Sequence, residues 1–216
     1  MDREFSGTLG RIVDSGVVAV MRGAERDVVV EIAEALLAGG VTALELTADS
    51  EHVVENVTAV RDAVGDEAVV GTGTVYDAET ARAVVDTGAE FVVSPTVEHD
   101  VIGACNDLGV TVAPGAFTPT EVRTAYQAGA DAVKVFPAAS AGPKHLSRIG
   151  GPMPEVPLMP TGGVDLDSAA DYVRAGAVAV GVGSALVPDD LVAERDFDRI
   201  TERAASFVNV VEGARE

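Results

Sequence analysis

Eight short runs of valine-rich apolar sequence recur along the chain: 17-VVAVMR-22, 41-VTALELT-47, 68-AVVGTGT-74, 90-EFVVSP-95, 110-VTVAPG-115, 131-DAVKVFP-137, 157-PLMPTGG-163 and 178-VAVGVGS-184. Their starts lie 24, 27, 22, 20, 21, 26 and 21 residues apart. Runs of this length read as strands buried on both faces. The stretches between them, such as 27-DVVVEIAEALLA-38 and 118-TPTEVRTAYQA-128, place apolar residues three and four apart, the helical period. Asp27, Asp77, Thr118 and Asp165 each stand before such a stretch as capping residues. Several strands are introduced by one phrase: Ala38-Gly39-Gly40, Thr87-Gly88-Ala89, Ala128-Gly129-Ala130 and Ala175-Gly176-Ala177. The glycine there suits the left-handed position that ends a helix. The helical pattern is least regular over 141–150.

Strand–helix units with short connections give an all-parallel sheet, and eight of them close into a (β/α)₈ barrel. An open flavodoxin-like sheet would have fewer strands. The leading segment 2–14 is extra and is expected to cover the bottom of the barrel, and a trailing helix is expected over 195–213. No linker or composition break divides the chain, so residues 1–216 read as one domain.

Composition narrows the function classes. Thirty-five acids against fifteen lysines and arginines leave a net charge of −20, which removes the basic footprint of a nucleic-acid binder. So large a charge repels itself in dilute buffer and is best tolerated where salt screens it, which suggests a halophilic, salt-rich cytoplasm over an ordinary acidic protein. No apolar run is long enough to span a membrane, and the start Met1-Asp2-Arg3-Glu4 is charged, so a cytoplasmic protein with no membrane partner is expected. The single cysteine, Cys105, rules out an internal disulfide and any cysteine-based metal cluster.

In a barrel of this kind the active site lies at the C-terminal ends of the strands. Those ends carry Arg22, Glu45 with Thr47, Thr74, Ser94-Pro95, Lys134 with Phe136, Thr161-Gly162-Gly163, and Ser184. An ammonium inside an apolar strand is costly, so Lys134 needs a reason to be there. Burial disfavours the charged amine, and the neutral amine is the form that attacks a carbonyl. The plain alternative is a lysine paired with a carboxylate for packing. It carries little weight in a chain with only two lysines, of which the other, Lys144, sits in a Gly-Pro-Lys-His loop and reads as exposed. Glu45 interrupts another apolar strand and points to the same mouth, where a carboxyl can shuttle protons or balance Lys134 or Arg22.

The glycine turns Thr161-Gly162-Gly163-Val164 and Gly181-Val182-Gly183-Ser184 end the seventh and eighth strands, where barrel phosphate sites are built from backbone amides. Together they point to a phosphate-bearing substrate, with Arg22 able to add a charge-assisted contact to an anionic group. His52, His99 and His145 are scattered and none pairs with an acid at ligand spacing, which argues against a metal site. No dinucleotide fingerprint follows the first strand.

The motifs 38-AGGVTALELT-47, 71-GTGTV-75, 94-SP-95, 131-DAVKVFPA-138, 160-PTGGV-164 and 181-GVGSALVP-188, in that order, carry a resemblance. From about residue 9 onward the chain resembles the 2-dehydro-3-deoxy-phosphogluconate (KDPG) and 4-hydroxy-2-oxoglutarate (KHG) aldolases, including the 2-dehydro-3-deoxy-6-phosphogalactonate (KDPGal) branch. The resemblance implies a class I aldolase with Lys134 as the Schiff-base residue and Glu45 as general acid/base. It implies that Thr74 holds the pyruvyl carboxylate and Thr161 touches substrate oxygens. Gly162, Gly163 and Ser184 would then receive the phosphate, and Pro95 and Phe136 would shape the pocket. It further implies a phosphorylated 2-keto-3-deoxy sugar acid as substrate, pyruvate and glyceraldehyde 3-phosphate as products, no metal or other cofactor, and a homotrimer.

One departure stands out. Many phosphogluconate-type members carry an arginine four residues after the glutamate, where this chain has Asp49. The galactonate branch also lacks it and has an arginine–glycine pair after the first strand, as in Met21-Arg22-Gly23, so Arg22 is expected to take over the carboxylate contact. The C4 configuration of the substrate stays open between the two epimers. KHG cleavage, a phosphate-binding barrel isomerase or epimerase, and a barrel that binds a sugar phosphate without turnover are the remaining readings.

Overall fold

Val17–Met21 (β1), Ala43–Thr47 (β2), Val69–Gly73 (β3) and Phe91–Val93 (β4) are buried along their whole length, as apolar runs covered on both faces must be. The remaining barrel strands are β5, in two pieces at Thr111–Ala113 and Gly115–Ala116, then β6 (Val133–Val135), β7 (Leu158–Pro160) and β8 (Val180–Val182). The computed structural model describes residues 4–23, 25–50 and 52–216, so the charged start Met1–Arg3 and the first two residues of the segment 2–14 lie outside the described residues.

All pairings are parallel. One sheet runs β5-β4-β3-β2-β1-β8 and a second joins the other half of β5 to β6 and β7. Isolated parallel bridges from Leu158 to Ala177 and from Thr161 to Gly181 link β7 to β8 and complete the circle. The break in β5 falls at Pro114, which has no amide to donate but whose carbonyl accepts from the Lys134 amide at 3.0 Å. The result is the (β/α)₈ barrel expected from the repeat.

The helices are α1 (Gly7–Ser15), α2 (Val29–Ala38), α3 (Val53–Val64), α4 (Ala78–Asp86), α5 (His99–Leu108), α6 (Pro119–Gln127), α7 (Pro143–Gly150), α8 (Leu166–Arg174), the short α9 (Asp189–Glu194) and α10 (Phe197–Arg215). The irregular stretch 141–150 thus holds a helix entered through a 3₁₀ turn at Ala138–Ser140. Two packed layers result. The larger lies between barrel and helices, and a smaller one fills the barrel with Val18, Ala43, Val69, Phe91, Ala113 and Met159 among others. Ile12 of α1 belongs to the inner layer and is fully buried, a burial that contributes about 2 kcal/mol. The N-terminal helix therefore plugs the end where the strands begin.

Three of the four capping residues act as expected. Asp77 accepts from the Thr80 amide at 2.8 Å, and Thr118 with Glu121 and Asp165 with Ser168 form reciprocal capping boxes. Asp27 does not cap. Helix α2 starts later, at Val29, and the Glu25 carbonyl takes the amides of Val28 and Val29, while the Asp27 carboxylate meets Arg195 at 2.8 Å. Of the glycines that introduce strands, Gly88, Gly129 and Gly176 have positive φ, but in the first phrase Gly40 takes that role (φ 89°). Gly39 instead lets α2 approach α10, since a Cβ there would strike Ala204 and the Thr201 carbonyl.

Candidate active site

Lys134 is the central residue of β6, between Val133 and Val135, which pack outward. Alternation turns its side chain into the barrel, where only 6% of the residue is accessible. Nζ lies 3.8 Å from Oε1 of Glu45 and 5.3 Å from the centre of the Phe136 ring. The first distance is too long for a hydrogen bond but within ion-pair range. Glu45 is the inward residue at the middle of β2, level with Val20 on β1 and Gly71 on β3. Its Oε1 has no hydrogen-bond partner among the described residues, so it can accept from a substrate hydroxyl or water.

Glycine makes room for this pair. A Cβ at Gly73 would coincide with the Glu45 carboxyl, and one at Gly71 would strike the Phe91 ring that fills the barrel beneath. The sequence reading missed Gly73 as a site residue, although a glycine inside a strand marks close approach of other groups. Across the barrel, Thr161 occupies the space left by Gly181, and the Phe136 ring packs where a Cβ on Gly162 would lie.

Above Lys134 opens a cavity of about 790 Å³. Of the residues singled out from the sequence, Arg22, Lys134, Phe136, Thr161, Gly162, Gly163 and Ser184 all line it. Glu45 does not; it borders a small pocket in the floor that it shares with Lys134 and Thr161. Gly162 and Gly163 both have positive φ (90° and 75°), and the amides of Gly163, Ser184 and Ala185 have no acceptor among the described residues. Unpaired amides on two adjacent loops form a cradle for an anion. Gly183 of the expected eighth-strand turn also lines the cavity, as do Val20, Asp165, Ala185 and Asp189, which were not foreseen as site residues.

Thr47, Thr74 and Pro95 do not line this cavity. Thr47 is buried, its hydroxyl without a partner among the described residues, and Pro95 is half-buried with its carbonyl against Gly115. Thr74, at the end of β3, has φ 61°, a left-handed conformation that costs a β-branched residue energy and that tends to occur at functional sites. Arg22 stands at the rim, its Nη1 2.9 Å from Asp49 Oδ2, with both side chains largely exposed. The residue found where many phosphogluconate-type members carry arginine therefore holds Arg22 at the mouth.

His52, His99 and Lys144 are exposed, while His145 stacks on Phe117 and bonds the Phe117 carbonyl at 2.8 Å. Among the described residues no three His, Cys, Asp or Glu side chains gather as a metal site would need. No helix of the described residues is long and apolar enough to cross a membrane.

A closed parallel barrel with a buried amine and carboxyl under an anion cradle defines a barrel enzyme of the aldolase type. The sequence profile of the family "KDPG and KHG aldolase" matches residues 10–203. The 2-dehydro-3-deoxy-6-phosphogalactonate aldolase of Escherichia coli K12 is 32% identical over 89% of this chain and 92% of its own length. The 2-dehydro-3-deoxy-phosphogluconate aldolase of Pseudoalteromonas atlantica is 38% identical over 83% of each chain. Among solved structures, a KDPG aldolase from Legionella pneumophila, with pyruvate captured as a covalent carbinolamine, superposes with a TM-score of 0.86 at 28% identity. It covers 93% of this chain and 98% of its own. A native KDPGal structure gives the same TM-score at 32% identity, over 92% of this chain and 95% of that one. The chain belongs to the KDPG and KHG aldolase family.

Proposed function

We propose that this single-domain barrel cleaves 2-dehydro-3-deoxy-6-phosphogluconate and its C4 epimer, the galactonate, to pyruvate and glyceraldehyde 3-phosphate through an imine on Lys134. The observation that carries the reading is the buried Lys134–Glu45 pair, 3.8 Å apart, at the floor of a cavity walled by two glycine loops. The Lys134 amine adds to the C2 ketone, and loss of water gives a protonated imine. Glu45, directly or through water, takes the proton of the C4 hydroxyl as the C3–C4 bond breaks. The bonding electrons pass into the imine, releasing glyceraldehyde 3-phosphate and leaving the enamine of pyruvate. Protonation at C3 and hydrolysis then release pyruvate and restore the amine.

Gly162, Gly163 and Ser184 take the phosphate, Arg22 and Thr74 the pyruvyl carboxylate, and Thr161 the substrate oxygens, while Thr47, Pro95 and Phe136 shape the surroundings. The mechanism uses no metal. The net charge of −20 supports a salt-rich cytoplasm, and the family resemblance supports a homotrimer. The presence of relatives from both the gluconate and galactonate branches supports activity on both epimers.

Borohydride reduction in the presence of pyruvate, followed by peptide mass spectrometry, tests the chemistry. With two lysines in the chain the result is close to binary. A reduced pyruvyl adduct on Lys134 is expected, and Lys134→Ala should fold but neither trap pyruvate nor turn over. No adduct, or one on Lys144 alone, would favour the isomerase reading. Comparing kcat/KM for the two epimers tests the substrate range, and strong exclusion of the galactonate would contradict it.

A further inference from the structure

Helix α10 packs between α8 and α2, closing the ring of helices after the eighth strand, and one of its side chains reaches the active-site loop. Arg203 donates from Nε and Nη2 to the carbonyl of Ala185, at 3.0 and 2.5 Å. The chain holds thirty-five acids, but Arg203 pairs with no carboxylate among the described residues. Its forked donor set is spent on one backbone oxygen.

That oxygen lies in the loop that ends β8. Within the loop, the Gly183 carbonyl accepts the amides of Leu186 and Val187 at 2.8 and 3.0 Å. The carbonyl of Ala185 is taken by Arg203. Ser184 and Ala185, which line the cavity, are left with amides that donate to no described atom. The Gly183 carbonyl shares its peptide plane with the Ser184 amide, and the Ala185 carbonyl shares its plane with the Leu186 amide. The unit that carries the Ala185 amide is therefore held between two tethered neighbours, the second tethered by the charge-assisted pair from Arg203. Preorganised amides bind an anion without the entropic cost of ordering a loop.

We propose that Arg203 is a positioning residue for the anion end of the site, holding Ser184 and Ala185 so that their amides receive the substrate phosphate. The inference rests on the reading above that the glycine loops bind phosphate. A purely structural clamp is the competing role, and the chain has one for comparison. Arg215, at the other end of α10, bonds the carbonyls of Val13 and Val178 at 2.5 and 3.0 Å, near the bottom of the barrel.

The test compares wild type, Arg203→Met, Arg203→Lys and Arg215→Met on the phosphorylated gluconate substrate and on 4-hydroxy-2-oxoglutarate, which carries no phosphate, with inorganic phosphate as inhibitor. For Arg203→Met, KM for the phosphorylated substrate and Ki for phosphate should both rise about tenfold, the ratio set by loss of one good anion contact. Its kcat should stay within about twofold, and kinetics on 4-hydroxy-2-oxoglutarate should not change. Arg203→Lys should recover part of the loss because a lysine ammonium can still donate to the carbonyl, though not with the guanidinium's two-nitrogen fork. Arg215→Met should lower the melting temperature without this split. Equal losses on both substrates, or none on either, would overturn the role of Arg203. If Arg203→Met does not fold, the lysine variant decides on the same split. Failure of the underlying reading shows separately in the wild type, as no preference for the phosphorylated substrate and no inhibition by phosphate.

Discussion

Replacing Gly73 with alanine should separate catalysis from stability. Gly73 is not among the glycines with positive φ, so alanine strains nothing in the backbone. The conflict is local: the added Cβ would sit on the Glu45 carboxyl, 2.5 Å from Cδ and 2.9 Å from Cγ. Ordinary carbon contacts are about 3.5–4.0 Å, so the carboxyl must retreat by about 1 Å. A displacement of that size at a reacting group can cost about 10²-fold in rate. The stability cost should be at the low end of the roughly 1–3 kcal/mol typical of overpacking, because the obstacle is the rotatable end of a side chain. Gly71→Ala supplies the contrast, since its Cβ would meet the Phe91 ring wedged in the barrel interior, and stability should fall more than activity per folded molecule. The assays are kcat on the phosphorylated substrate and thermal melts of both variants. A folded Gly73→Ala protein with wild-type kcat would show that the Glu45 carboxyl need not occupy that space, and would remove Glu45 from the proposed proton transfer.

Other outcomes follow from the same structure. Asp165→Ala should cost about 1 kcal/mol through loss of the α8 capping box. The Ser168 hydroxyl and amide hold the Asp165 carboxyl below its usual range, so its stabilisation is complete above that range and lost as pH falls through the lowered value. Melts of variant and wild type should therefore converge in acid, and a gap independent of pH would contradict this. Cys105 is fully buried, and burial, aided by the charge of Asp131, pushes its thiol up to about 11. Iodoacetamide at pH 8 should leave the native protein unmodified and label it only after unfolding, whereas rapid native labelling would refute the burial. With a net charge of −20, the melting temperature should rise by at least about 4 °C between 0.1 and 2 M KCl as screening shortens the Debye length. A flat or falling curve would exclude the halophilic reading.

Much of the architecture was legible because it is a matter of period. Apolar runs at intervals near 23 residues, with helical spacing between them, leave few folds other than a closed parallel barrel. Lys134 and Glu45 were legible for a related reason. A charge in the middle of an apolar strand is expensive, so its presence marks a use, and alternation tells which way it points. The two glycine loops could be placed because strand ends define one face of the barrel.

What the one-dimensional pattern did not carry were relations between distant residues. Asp27 looked like a cap, but Arg195, 168 residues away in the chain, claims its carboxylate. Nothing local announced that Thr74 adopts a left-handed φ, or that Thr47, Thr74 and Pro95 would stand outside the main cavity. The tie between Arg22 and Asp49 was equally hidden, because an exposed pair 27 residues apart leaves no periodic trace. The amino-acid sequence by itself determined the barrel, the end at which its cavity opens and the two ionisable groups buried beneath it, since each follows from local period and the cost of burying charge. Only the tertiary structure decided that Gly73 yields its Cβ space to Glu45 and that the C-terminal helix grips the Ser184 loop, since both depend on how closely separate elements approach one another.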